Sequence, residues 1–218
     1  MELATWTNFR KVLALVRAFP LKVAKLFNQG DEALLDALRE FAAEILNLVP
    51  SDKPYKTALF DAINKKQPTF AMEGVLLREN PDGGALEVYL TQRSMVDTAY
   101  PGEFHCPGSG LRNKETWQKD AERVAHSEYK VPIKKVTVLF ETGFFYDEAR
   151  GWYWSVPCLV ELEAEPAVGK WYPVDRLPEN TVAHHRDDII PAVVRYWRNR
   201  AKYDAARRKM REALGLEK

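Results

Sequence analysis

Cysteine is scarce: Cys106 and Cys158 are the only two in 218 residues. Two thiols cannot build the cross-linked framework of a small secreted domain, so a reducing compartment is implied and the cytoplasm is the expected location. An excess of charge of one sign is also missing, since 32 basic residues face 31 acidic ones for a formal net of +1. That balance excludes a globally basic nucleic-acid binder and an acidic disordered tail. Long apolar runs are absent as well. The longest stretch without a charged residue, 151–160, is about half of what a membrane-spanning helix needs, so no transmembrane segment is expected. No secretory signal is expected either: Arg17 breaks the apolar stretch 12–19, Lys22 and Lys25 follow, and no small-residue cleavage pattern comes after. A basic amphipathic opening of this kind fits a transit peptide, a membrane-surface helix or a packed helix with a solvated basic face.

What is present is ordinary globular sequence, 46% hydrophobic and 29% charged, enough for one large domain or one domain with an appendage. The first 66 residues read as helices. Phe9, Val12, Leu13, Val16 and Phe19 recur at helical spacing until Pro20, and 21–27 continues to an Asn28-Gln29-Gly30 stop. Asp31 is placed to cap the next helix, whose apolar stripe is Leu34, Leu35, Leu38, Phe41, Ala42, Ile45 and Leu48. A fourth helix is expected from Pro54, carrying Tyr55, Leu59, Phe60 and Ile63. These stripes must pack against something, whether the rest of the chain, a second copy or another protein.

From Gln67 the texture changes to strands at 69–77 and 86–91 around an Asn80-Pro81-Asp82-Gly83-Gly84 turn. A Gly- and Pro-rich loop follows at 94–110, then a helix at 115–129, strands at 135–140 and 151–163 joined through a turn at 147–150, and a short strand at 172–177. Helices at 187–197 and 198–216 close the chain. No internal repeat is seen. The order gives an α+β fold in three parts: a helical segment at 1–66, a mixed-sheet domain at 67–197 and a basic C-terminal helix at 198–218.

The segment Pro101-Gly102-Glu103-Phe104-His105-Cys106-Pro107-Gly108-Ser109 leads into Glu115, Arg123 and Glu128. Here the chain resembles the Nudix superfamily, whose box runs G-x5-E-x7-R-E-U-x-E-E-x-G-U. The frame puts Ser109 on the first glycine, Glu115 on the box glutamate, Arg123 on the arginine, Glu128 on the last acid and Val131 on the final aliphatic. The stretches at 171–178 and 184–190 are similar to the closing strand and the start of the last helix in that family. The resemblance covers residues 69–197 and implies an α/β/α sandwich, a hydrolase acting on a nucleoside diphosphate linked to another group, and Mg²⁺ or Mn²⁺ as cofactor. It also implies that Glu115 and Arg123, with Gly108 and Ser109 beside them, are structural.

The departures bear on the chemistry. Val124 and Ser127 stand where two of the three box glutamates belong, so Glu128 alone is left to ligate metal. Box acids three and four apart share one helix face and together hold a hard divalent cation, which one carboxylate does weakly. A loop acid, Glu141 or Glu148, is then the candidate base, and Arg93 at a strand end the candidate phosphate contact. Ser109 and Lys130 replace the first and last glycines, which suggests altered loops, with Gly108 and Gly110 able to compensate for the first. Trp152 and Trp154 share one strand face and are candidates to stack on a nucleobase, or to pack in the core. His184 and His185 beside Asp187 and Asp188 suggest a metal or, by the resemblance, capping and packing. Two functions follow: a Nudix hydrolase of weak or altered activity, or an inactive nucleotide-binding or protein-interaction module.

The neutral total hides a gradient. Residues 195–218 carry nine basic side chains (Arg195, Arg198, Arg200, Lys202, Arg207, Arg208, Lys209, Arg211 and Lys218) against three acidic ones. A local anionic partner therefore stays open, be it nucleic acid, membrane or acidic protein, as does docking on the chain's own acidic body.

Overall fold

The computed structural model describes residues 31–49, 55–112 and 114–214. The chain divides into two compact units, Met1–Pro54 and Tyr55–Lys218. The helices expected at 9–19 and 21–27, and the start expected at Pro54, lie outside the described residues. In the first unit, helix α1 (Asp31–Leu46) begins at the residue expected to cap it. Its Leu35, Leu38 and Leu46 are exposed.

The second unit opens with α2 (Thr57–Asn64), which belongs with the sheet domain. The end of α2 is fixed from both sides: Asn64 Nδ2 donates to Tyr153 Oη at 2.7 Å and Thr69 Oγ1 donates to Asn64 Oδ1 at 2.6 Å. Gly151 is required here, because it takes φ +125° and a Cβ on it would lie 2.1 Å from the Asn64 carbonyl.

The apolar run read as one strand is two. β1 (Thr69–Val75) and β2 (Leu77–Glu79) are separated at Leu76, where the chain leaves one sheet for another. β1 pairs in parallel with β8 (Gly151–Leu162) and antiparallel with β5 (Gly108–Gly110). β2 pairs with β3 (Leu86–Gln92), which also carries β4 (Phe104–His105) and β9 (Lys170–Pro173). On its other edge β8 holds β6 (Ile133–Val138) and β7 (Phe144–Glu148). β7 sits within the stretch that the sequence left between its two strands, and it forms a hairpin with β8 around a turn at 149–150.

Alternation along β1 and β8 splits the buried residues into two cores. Met72, Leu76, Val156, Cys158 and Val160 pack against Ala121, Val124, Ala125 and Tyr129 from helix α3 (Trp117–Val124) and the turn after it. Val75, Leu159 and Leu139 face Ile189, Ile190 and Val193 at the start of α4 (Ile190–Ala213). Helices on both faces of a mixed sheet make this an α+β sandwich. Each fully buried aliphatic side chain contributes roughly 1.5–3 kcal/mol.

α4 is one helix of 24 residues, without the break drawn from the sequence at 198. Residues 197–202 contain no Gly or Pro, so the charge shift there changes solvation and not backbone. Among the described residues no helix is long and apolar enough to cross a membrane.

Candidate functional site

The helix of the box-like segment starts at Thr116, whose Oγ1 accepts from Lys119 N at 3.3 Å. Ahead of it, Arg123 gathers the preceding loop. Its Nε and Nη2 donate to Glu115 Oε1 and Oε2 at 2.9 and 2.8 Å, and its Nη1 donates to Ser109 Oγ at 2.7 Å. Arg123 also pairs with Asp120, a buried acid whose second oxygen has no partner among the described residues. Burial raises Asp120 to about 7 against the pull of Arg123. Ser109 lies in β5 opposite Met72, so the residue on the first glycine position is ordinary strand. The close approach falls on Gly108 instead, where a Cβ would lie 2.3 Å from Glu73 Oε2 and 2.4 Å from the Met72 carbonyl.

The end of this helix is not α-helical. A wider π-type turn runs over Ala125–Tyr129 and ends on Lys130, which takes a left-handed φ of 60°. Lys130 thus adopts the conformation its glycine would, and the altered loop expected at that end is not found. Val124 is 1% exposed and packed under the sheet. Ser127 is exposed, and its hydroxyl reaches the Val124 carbonyl at 3.4 Å. Glu128 is half-buried. Glu141 is exposed in a single turn, Phe140–Thr142. Among the described residues no three His, Cys, Asp or Glu side chains come together as a metal site. Tested on this donor set, Mg²⁺ or Mn²⁺ does not fit: Val124 lies in the core, and Glu128 belongs to no cluster of three ligating side chains among the described residues.

On the opposite face of the sheet the structure gathers a polar cluster that includes two of the sequence-predicted residues, Arg93 and Glu148. Arg93 Nη2 donates to Asp97 Oδ2 at 2.8 Å, and Nη1 lies 3.4 Å from His105 Nδ1. The guanidinium sits 5.7 Å from the Tyr100 ring centroid, and its buried Nε has no partner among the described residues. Arg93 is therefore held in place with one donor unused. Burial raises the Glu148 carboxyl above the usual range, opposed by the Tyr100 hydroxyl and the Arg93 charge. His184 Nε2 lies 3.4 Å from Glu148 Oε1, and the His184 ring is 4.5 Å from that of Tyr146. Tyr146 Oη donates to Asp188 Oδ2 at 3.0 Å.

Beneath these lies a second row, built on Glu73, which the sequence does not single out, and His185, which it does. Glu73 accepts from Ser155 Oγ at 3.0 Å, and burial pushes its carboxyl up to about 8. His185 Nδ1 accepts from the Cys106 amide at 3.0 Å, which leaves the proton of the neutral ring on Nε2, 3.6 Å from Glu73 Oε2. Burial lowers all three imidazoles, His105 to about 3, His184 to about 4 and His185 well below its ordinary value. They are uncharged at neutral pH, so the positive charge here comes from Arg93 and from Arg150, whose Nη2 lies 2.9 Å from Asp97 Oδ1.

Trp152 and Trp154 do not join this cluster. Cross-strand pairing puts them with Asp147 and Phe145 on the face that carries α3, while Tyr146 and Tyr153 point to the other. There Phe145 stacks on Trp154 at 5.7 Å, Phe70 meets Trp154 edge-on at 5.0 Å, and Trp152 is 58% exposed. A groove of about 710 Å³ lies elsewhere, between the two sheets and α4, with Arg78, Lys135, Trp171, Trp197 and Arg200 in its walls. None of the sequence-predicted site residues lines it.

No family model matches the chain, and no curated protein sequence matches it. Among solved structures it is similar to a MutT Nudix hydrolase from Burkholderia pseudomallei, at 17% identity over 57% of this chain and 97% of that one, with a TM-score of 0.48. It is also similar to the Nudix domain of Shewanella oneidensis NrtR complexed with ADP ribose, at 21% identity, 65% and 93% coverage and a TM-score of 0.46. A third, the Nudix hydrolase RenU from M. smegmatis, shares 19% identity over 63% of this chain and 87% of its own, with a TM-score of 0.42.

Proposed function

We propose that this chain is a Nudix-like module that binds a nucleotide-derived small molecule through the Arg93–Glu148–His184 cluster and does not carry out metal-dependent hydrolysis. The observation that carries this reading is the pair of opposite fates within the motif. Val124 is 1% exposed in the core, whereas the Arg93 side chain is held by Asp97 at 2.8 Å and stays 20% exposed. A guanidinium fixed in this way and reachable from solvent is suited to a phosphate oxygen through a charge-assisted bond. The neutral imidazoles and the protonated Glu73 carboxyl offer donors and acceptors without further charge, which suits a heterocycle or sugar hydroxyls beside the phosphate.

The test uses the whole chain against a panel of nucleoside diphosphates linked to sugars, phosphates or a second nucleoside, with and without Mg²⁺ and Mn²⁺. Calorimetry should find a ligand whose affinity is indifferent to the metals and falls at least about tenfold in Arg93→Lys, which keeps charge but loses the fork. No product should form. Metal-dependent turnover that disappears in Glu128→Gln would replace this reading with the hydrolase one.

A further inference from the structure

Beyond residue 197, α4 is largely solvent-exposed, with only Arg200 and Asp204 still lining the groove against the sheets. Every described side chain from 198 to 213 is exposed except Ala205, which is half-buried. The helix buries one face near its start, through Ile190, Val193, Val194 and Tyr196. The opposite face carries Arg195, Arg198, Lys202 and Lys209, at spacings that keep them in one line along about 21 Å of helix axis. None of these four has an acidic partner among the described residues, in contrast to Arg208, which lies 3.9 Å from Glu212. Alanines 206 and 213 flank the line, so nothing bulky separates its side chains from a surface laid against it. Among the described residues, this stripe does not dock on an acidic surface of its own domain.

We infer that the outward stripe Arg195–Arg198–Lys202–Lys209 binds the phosphodiester backbone of a nucleic acid. Of the anionic partners, this one needs only charge. A membrane-surface helix sinks a broad apolar face, and the exposed apolar residues of this part, Tyr203, Met210 and Leu214, form a line about one residue wide that points away from the stripe. A protein partner is anchored by buried apolar and aromatic side chains, and the stripe presents none. Duplex DNA carries one charge per roughly 1.7 Å of axis, so four cations over this length each find a phosphate, with counterion release as the driving force. The inference stands apart from the nucleotide site, which lies at the other end of α4.

The experiment is fluorescence anisotropy of the full chain with a labelled 20-base-pair DNA duplex of arbitrary sequence, at protein concentrations up to about 100 µM, the weak end of nonspecific binding. With four phosphates neutralised, log K should fall with log salt at a slope of about −3.6, which is roughly 150-fold between 50 and 200 mM. The variant Arg195→Gln/Arg198→Gln/Lys202→Gln/Lys209→Gln should keep the wild-type melting temperature, since these side chains are exposed, and should lose that binding and that slope. Unlabelled DNA should compete and polyglutamate should not. Absence of binding at 50 mM salt, binding unchanged in the variant, equal competition by polyglutamate, or preference for phosphatidylserine vesicles over DNA would each overturn the inference.

Discussion

Val124→Glu restores the first missing acid of the motif and asks where that position points. The wild-type side chain is 1% exposed among Ala121, Ala125, Tyr129, Met72 and Val156. A longer side chain there overpacks the core, at about 1–3 kcal/mol. The introduced carboxyl finds no cation on that face of the core, so it takes up a proton. If burial raises its pKa to about 8–9, as for other buried glutamates, the cost at pH 7 is the distance from its ordinary 4.3, or about 3.7 kcal/mol. The two terms together reach about 5–7 kcal/mol, comparable to the whole stability of a small domain. A raised acid pKa destabilises only above its unfolded value, so the deficit relative to wild type should shrink by about 2.7 kcal/mol between pH 7 and pH 5. Urea unfolding at the two pH values measures this. Adding Ser127→Glu, at an exposed position, should change stability by no more than about 0.5 kcal/mol. A Val124→Glu protein as stable as wild type at pH 7 and active with Mg²⁺ would refute the placement of this side chain and the binding-module reading with it.

Arg123→Ala removes the fork to Glu115 and leaves buried Asp120 without its cation; the expected loss is about 3–5 kcal/mol in urea unfolding, and Arg123→Lys should not recover the fork. Gly108→Ala forces a Cβ against the Met72 carbonyl at 2.4 Å and should lower the midpoint by more than about 2 kcal/mol, whereas Gly83→Ala, with nothing within 4 Å, should stay within about 0.5 kcal/mol. Glu73 holds its proton up to about pH 8 in the native state against an ordinary 4.5, so its contribution to stability is full below pH 4.5 and is lost as pH rises to 8. Chemical unfolding between pH 5 and 8 should show wild type falling relative to Glu73→Gln by up to about 1.4 kcal/mol per pH unit; parallel curves would mean that Glu73 is ionised in the fold.

The sheet domain was legible because its strands are bounded by Gly, Pro and Asn clusters, and its helices repeat at their own period. What escaped notice lacked such punctuation. The switch of sheets at Leu76 lies inside a nearly continuous apolar run, where a bend leaves no mark in composition. β7 carries Asp147 and Glu148 at its end, which read as turn residues although Glu148 is half-buried beside His184. Arg93 stands out through the frame of the motif, and Glu148 only as an acid of a later loop. Glu73 had its own signal, an acid inside a strand whose neighbours Met72 and Val75 are buried, and a lone carboxyl in such a place asks for a partner. Strand parity correctly put Trp152 and Trp154 together. It could not say that their face is the one opposite Arg93, because that depends on which helix covers each face.

The box-like helix shows why motif spacing alone misplaces side chains. Residues four apart share a face only while the helix is α. After Val124 the turn widens, and the residue that comes back beneath the sheet is the fifth, Tyr129, not the fourth, Glu128. Tyr129 is fully buried, and its hydroxyl donates to the Gly74 carbonyl in β1 at 3.0 Å, while the Gly74 amide donates to Pro107 next to the motif loop. Helix end, central strand and loop are thereby tied at one residue. Such a tie favours an apolar side chain at 124, since Val124 and Tyr129 occupy the same stretch of core. Val124 and Tyr129 thus pack this helix end under the sheet together, while Glu128 stays half-buried outside that core cluster.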